Sequence, residues 1–501
     1  MNGRRARTRL ESAVFVVLAA VVLSVPFAGG RFVAKAPISG FGAFYCAGRI
    51  VRAGHDPYRV QPLLDCERSL PSYRYDAVGV VEPAPLPPFV LAAFGVLALL
   101  PFGWALSAFI GLSVAAVAAA AWALGRITGF GLPFVGAALL FSALYDNMLL
   151  AEIPPLVVGI LSLAALLAER KRLAAAGAVA ALALVEPNVS APVIVAMFLA
   201  FRPARWPLAG AAVVAAGLSL ATVGFATTVA YFTSVLPAHA ASEVAAKDQY
   251  SLTWALHQFG ASDVLALRAG GASYLVAAFL GVVVALRLAE RFRRPALVVL
   301  VPAAFAMIGG TYVHDLQLPI AIPAALVLLT VVAAPLRPVV MAGIVLLAVP
   351  WYGSRVIWAA AAVIGVMLWY SPLAARAPVR RAGWAAAVCA VYLAVVFAIH
   401  LLPDLPRHAG GVLPDVSGSP HELASAVWAR FVRATAYGQS SLRDVAVKLP
   451  LWSGLLIVGA AALVQAARPK AKRIVVMRGE FDAGSRAPEA RVLDATPGRS
   501  G

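Results

Sequence analysis

Residues 271–294 read GASYLVAAFLGVVVALRLAERFRR, an apolar run to Leu286 followed by a charged end with Arg287, Arg291, Arg293 and Arg294. A helix of this length covers the roughly 30 Å of hydrocarbon in a bilayer. The run is rich in Ala, Leu and Val and lacks the in–out alternation of a membrane barrel strand. Comparable runs of 17 to 25 apolar residues recur down the chain, each bounded by short basic clusters.

The whole sequence follows this pattern. Its 501 residues are 62% hydrophobic and 13% charged, far from a soluble globular domain. The formal charge of +18 comes from clusters such as Arg170-Lys171-Arg172, Arg202 with Arg205, and Arg380-Arg381. Their spacing is that of cytoplasmic loops that orient helices, and no basic stripe interleaves with aromatics to suit nucleic acid. The expected fold class is an all-α polytopic membrane protein with about 13–15 spans and a large outward first loop.

Spans are expected near 12–30, 86–104, 105–124, 130–149, 154–168, 173–187, 189–201 and 207–233. Others are expected near 271–288, 295–310, 315–333, 338–352, 355–372, 383–402 and 449–467. The first, preceded by Arg4 to Arg9, suits a retained signal anchor better than a cleaved signal. Residues 1–402 form the expected transmembrane module, with 31–85 as its first outward loop. A second outward loop, 403–448, carries an amphipathic helix over Glu422–Ala436, and a tail at 468–501 suits disordered cytoplasmic chain. The alternation of sides fails by one crossing before Arg170. Asp146–Pro155, with its polar residues and tandem prolines, is the expected re-entrant break.

On this map carboxylates and amides gather at outward helix ends. They include Asp56, Glu82, Asp146, Asn147, Glu152, Glu186, Asn188, Lys247, Gln249, His314 and Asp315. Ionisable groups there usually face a cavity or one another. Each also has a plainer role: Asp56 in Gly54-His-Asp-Pro-Tyr58 suits a turn, and Glu186-Pro187-Asn188 a tight hairpin. Cys46 and Cys66 share the first loop, so a disulfide is expected there, the alternative being two unpaired thiols.

The segments Gly40-Phe-Gly-Ala-Phe-Tyr45-Cys-Ala-Gly48 and Gly54–Tyr58 resemble the first-loop signature of glycosyltransferase family 87. Pro85–Phe89, Asp248-Gln-Tyr-Ser-Leu252 and His314-Asp315 resemble further motifs of that family. The resemblance implies a GT-C membrane enzyme taking a mannose-like or arabinose-like sugar from a polyprenyl-phosphate donor to a lipid or glycan acceptor. It further implies an outer-face site in the plasma membrane, and the basic clusters put both termini on the cytoplasmic side. The sequence departs from the family at Gly40, where an aspartate thought to be the base usually stands, and at Ala151-Glu152 and Glu186-Pro187.

Such transfer needs a base for the acceptor hydroxyl and positive charge for the departing phosphate. Asp56, Glu82, Asp146 and Glu152 are the candidate bases. Tyr45, Arg49, Tyr58, Asn147, Glu186, Asn188, Lys247, Gln249, Ser251, His314 and Asp315 are candidate substrate contacts. A carboxylate such as Asp315 would hold a divalent ion if one serves. A transporter, a lipid-linked glycan flippase or ligase, and a family member that has lost catalysis remain alternatives.

Overall fold

The computed structural model describes residues 40–71, 73, 79–351, 357–373, 378–404 and 415–469. The expected first span, and the expected tail beyond residue 469, lie outside them. Among the described residues the chain is helical, and its only β pairings are the isolated bridges Arg59–Leu423 and Gln249–His314.

The first loop holds α1 (Gly40–Arg52) and α2 (Val60–Arg68). A Cys46–Cys66 disulfide ties them together. A nearly helix-free stretch, 79–87, ends in the proline run that opens α3 (Pro88–Leu97). A proline lacks the N–H that a first helical residue leaves unpaired anyway, so it starts a helix at little cost. Then come α4 (Phe102–Thr128), α5 (Leu132–Leu140), the short α6 (Leu144–Leu150) and α7 (Pro154–Glu169). The apolar stretch 130–149 is therefore no single helix: it breaks at residues 141–143, and a second break follows it at 151–153.

The next elements are α8 (Leu173–Ala181), α9 (Pro187–Ala200), α10 (Arg205–Ala230) and α11 (Leu236–Ser242). A π turn over Tyr231–Val235 joins the last two. They are followed by α12 (Leu252–Gln258), α13 (Asp263–Phe292), α14 (Ala296–Ala306), α15 (Ile322–Val331) and α16 (Arg337–Ala348). The last are α17 (Ile357–Trp369), α18 (Pro378–Leu401), α19 (Ala424–Ala434) and α20 (Leu442–Ala467).

Five helical segments are long and apolar enough to cross a membrane by themselves: 102–128, 202–242, 263–292, 379–401 and 442–467. Eight shorter apolar segments accompany them. The expected all-α polytopic class is therefore what the chain adopts. Small residues let the helices close up: a Cβ at Gly159 would lie 2.7 Å from that of Ala116, and one at Gly48 2.6 Å from the Gly95 nitrogen.

The two ends of the bundle differ in charge. At one end Arg294 pairs with Glu169 at 3.1 Å, and Arg126 and Arg170 line the same small hollow. Helix α7 runs from that end to Pro154, and α13 runs from it back toward Asp263. Their far ends line a much larger cavity.

Candidate active site

The cavity holds about 850 Å³ and is walled mainly by apolar atoms. Five carboxylates face it, those of Glu82, Glu152, Glu186, Glu243 and Asp248. Each is delivered by a local break in helix. Ala151 ends α6 in a left-handed conformation (φ 55°), a strained choice for a residue with a Cβ. Pro154 and Pro155 then open α7, leaving Glu152 on the turn between them. Glu186 is held extended (φ −132°, ψ 83°) because Pro187 follows it and starts α9. Glu243 and Asp248 lie in the turns after α11.

Glu152 sits directly against α1. A Cβ added at Gly40 would lie 3.0 Å from the Glu152 Cδ and closer still to Oε1. The Gly40 backbone also hydrogen-bonds the carboxylate. Burial pushes the Glu152 carboxyl up to about 7; neighbouring Glu186 adds to this, while His314 and Gly40 oppose it. Burial likewise lifts Glu186 to about 7 against the hydrogen bond from Gln317. Glu82 is raised by burial and then by the charges of Glu67, Glu152 and Glu243.

His314 is the centre of a connected polar network. It caps the 3₁₀ turn Asp315–Ala321, and Gln317 answers by accepting its N–H at 3.0 Å. The Gln317 amide donates to Glu186 Oε1, joining the two sides. The His314 Nδ1 lies 3.2 Å from Asp248 Oδ2, and its Nε2 lies 3.0 Å from the Gln249 Nε2. Val313 N–H donates to Gln249 Oε1 at 2.9 Å, which turns the Gln249 NH₂ toward the ring and toward Glu243 Oε2 at 3.3 Å.

Where Nε2 accepts from the Gln249 amide, the imidazole is neutral with its proton on Nδ1, facing Asp248. Burial disfavours the imidazolium, yet Asp248 outweighs burial and lifts the ring to about 10. Protonation would set an Nε2–H donor against the Gln249 donor, so the amide must rotate for the cation to form. Either way both ring nitrogens are engaged and Asp248 balances the charge.

The late segment closes the cavity. Trp428 of α19 donates to Glu243 Oε1 at 2.5 Å, and the Tyr437 hydroxyl donates to Asp248. Backbone bonds lock this segment to the first loop, with Val60 N–H to Glu422 O and Ala424 N–H to Tyr58 O, both 2.9 Å. The Lys448 ammonium of α20 donates to the Lys247 and Gln249 carbonyls and lies 4.1 Å from the Trp254 ring centroid. It thereby pins the turn that presents Asp248 and Gln249. Ligand atoms of Glu243, Asp248 and His314 lie within 4.8 Å of one another, so these three residues could hold a cation.

The sequence-expected residues divide into two groups. Glu82, Glu152, Glu186, Asn188 and His314 line the cavity, and Gln249 connects to it through His314. The others lie outside its lining. Asp56 shapes a turn, accepting the Tyr58 N–H at 3.0 Å and pairing with Arg59 at 3.1 Å. Asn147 clamps two carbonyls, of Ala143 and Leu316. Asp146 lies on α6, where burial and then Asp315 raise its carboxyl to about 6.

Tyr45 packs among Phe41 and Phe102 and donates to the Leu100 carbonyl at 3.0 Å. Tyr58 donates to the Leu86 carbonyl at 2.7 Å, and Arg49 reaches toward Cys66 Sγ at 4.0 Å. Lys247 lies 5.9 Å from the Tyr437 ring centroid. Ser251 caps α12, and Asp315 caps its own turn through the Leu316 N–H.

Glu243, Arg268, Trp428, Tyr437 and Lys448 were not singled out from sequence. Glu243 was within reach of the same logic, as a carboxylate just past an apolar run. The rest become visible only when distant segments meet.

Fold and cavity together define a polytopic membrane protein with an acid-rich chamber at one end of its helices. Residues 86–309 match the model of glycosyltransferase family 87, which agrees with the resemblance over that segment. No curated protein and no solved structure matches the chain. Glu152, Glu186, Glu243 and Asp248 fall inside the matched segment, whereas Gly40, Glu82 and His314 fall outside it.

Proposed function

We propose that this protein transfers a sugar, mannose-like or arabinose-like, from a polyprenyl-phosphate donor to a hydroxyl of a lipid or glycan acceptor. The observation that carries this reading is the convergence of Glu152, Glu186 and His314 on one chamber with apolar walls. In the step, the acceptor oxygen forms a bond to the anomeric carbon as the bond from that carbon to the phosphate oxygen breaks. The acceptor proton passes to Glu152, and the electron pair leaves with the polyprenyl phosphate.

Glu152 suits the base because a carboxyl near neutrality can both accept and release a proton at working pH. Glu82 and Glu186 offer acceptors to sugar hydroxyls, and the His314–Asp248 pair lines the same chamber. The family aspartate has no counterpart at Gly40, and the Glu152 carboxyl abuts the place where such a side chain would begin.

The Cys46–Cys66 disulfide supports an oxidising surrounding for the cavity end, and the arginine-bearing opposite end suits the cytoplasm. These features favour a multi-pass plasma-membrane protein working at its outer face. The test is transfer of labelled sugar by purified protein from a polyprenyl-phosphate-linked donor to a membrane lipid extract. No transfer from any such donor by folded wild-type protein would overturn the reading.

A further inference from the structure

The chamber is strongly acidic, yet the proposed donor brings a phosphate into it. Among its lining residues Arg268 is the single arginine or lysine. The other cationic candidate, His314, is balanced by Asp248 and has both ring nitrogens occupied. Arg268 makes no hydrogen bond or ion pair among the described residues. It stands in the second turn of α13, which begins at Asp263 behind its Ser262 cap.

Its position marks the way in. Of the residues lining the chamber, only Phe232, Pro237 and Arg268 are also exposed on the outside of the protein. The chamber wall is therefore open between the Tyr231–Ser242 segment and α13. The flanks of that opening are greasy: Phe232 is 63% exposed, Val264 59% and Leu265 58%. Exposed apolar side chains beside a single cation match an amphiphile with one anionic group and a hydrocarbon tail.

We infer that Arg268 binds the phosphate of the donor at a lateral lipid entry, with the isoprenoid lying across Phe232, Leu236 and Leu267. This rests on the donor class proposed above and assigns the residue and the side from which the lipid enters. A guanidinium at such a site holds phosphate by two parallel N–H bonds, which an ammonium supplies only as a point charge.

The experiment compares wild type, Arg268→Gln and Arg268→Lys in nanodiscs. Binding of undecaprenyl phosphate and of phosphatidylglycerol is measured, together with KM and kcat for the sugar-linked donor. The expected result is undecaprenyl phosphate affinity at least tenfold weaker in Arg268→Gln and partly kept in Arg268→Lys. Donor KM rises more than kcat falls, and phosphatidylglycerol binding and Tm are unchanged. Equal undecaprenyl phosphate affinity in wild type and Arg268→Gln overturns the assignment while leaving the donor class intact. Equal losses for both lipids also overturn it, since Arg268 would then be a general headgroup anchor. Failure of wild type itself to bind undecaprenyl phosphate removes the donor class, and the assignment with it.

Discussion

Glu152 places its carboxyl against Gly40, so close that a side chain at residue 40 would meet it at its first carbon. The two positions thus share one volume, and only one of them can put a carboxylate there.

Glu152→Ala is expected to lower transfer by about 10²- to 10⁴-fold, the usual contribution of a positioned proton acceptor. Gly40→Ala alone lowers activity by displacing Glu152, but has little further effect when combined with Glu152→Ala. Gly40→Asp with Glu152→Ala recovers part of the lost rate by returning a carboxylate to the shared volume. Initial rates of wild type, the two single alanine variants and their combination form the cycle, and full additivity would show that the two positions act independently.

The same carboxyl sets a pH dependence. Held near 7 by burial, it is a working base only when deprotonated, so kcat/KM rises through about pH 7 and levels above it. Its stability effect runs the other way. The folded state keeps its proton to higher pH than the unfolded chain, so the contribution to stability is present at acid pH and declines between about pH 4.5 and 7. Glu152→Gln should lose the rate limb and be at least as heat-stable as wild type at pH 8, measured by thermal unfolding in detergent.

The Cys46–Cys66 bridge closes a loop with a sequence separation of 20, and Cys46 is fully buried. Constraining an unfolded loop of that size contributes about 3 kcal/mol in the chain-entropy account. Cys46→Ser with Cys66→Ser should lower Tm by several degrees. Dithiothreitol should do the same to wild type and nothing further to the double variant.

Lys448 crosses from α20 to the turn that carries Asp248, donating to the Lys247 and Gln249 carbonyls. Lys448→Met leaves both without this donor. Charged hydrogen bonds contribute about 1.5–3 kcal/mol each, and removing the buried ammonium also relieves its desolvation cost, so a net stability loss of about 2 kcal/mol is expected, with kcat lower by about tenfold. Lys448→Arg should recover little, because Tyr250 and Trp254 already enclose the ammonium, their ring centroids 4.3 and 4.1 Å from Nζ. Unchanged kcat in a folded Lys448→Met variant would separate this lysine from the site.

Apolar run length and basic punctuation determined an all-helical membrane protein, because a bilayer admits helical backbone only where its polar groups pair internally. The prolines after Asp146 marked a real break, and Glu152, Glu186 and His314 were legible as charges at helix ends. Sequence spacing did not separate Glu152 from Asp56 or Asp146, since all three are carboxylates beside turns. That choice belongs to tertiary structure: Asp56 is consumed by Tyr58 and Arg59, whereas Glu152 is left on the chamber wall against Gly40. Glu243, Trp428, Tyr437 and Lys448 joined the network only because residues about 200 positions apart met. Long-range packing alone sets such distances, and no local pattern in the chain encodes them.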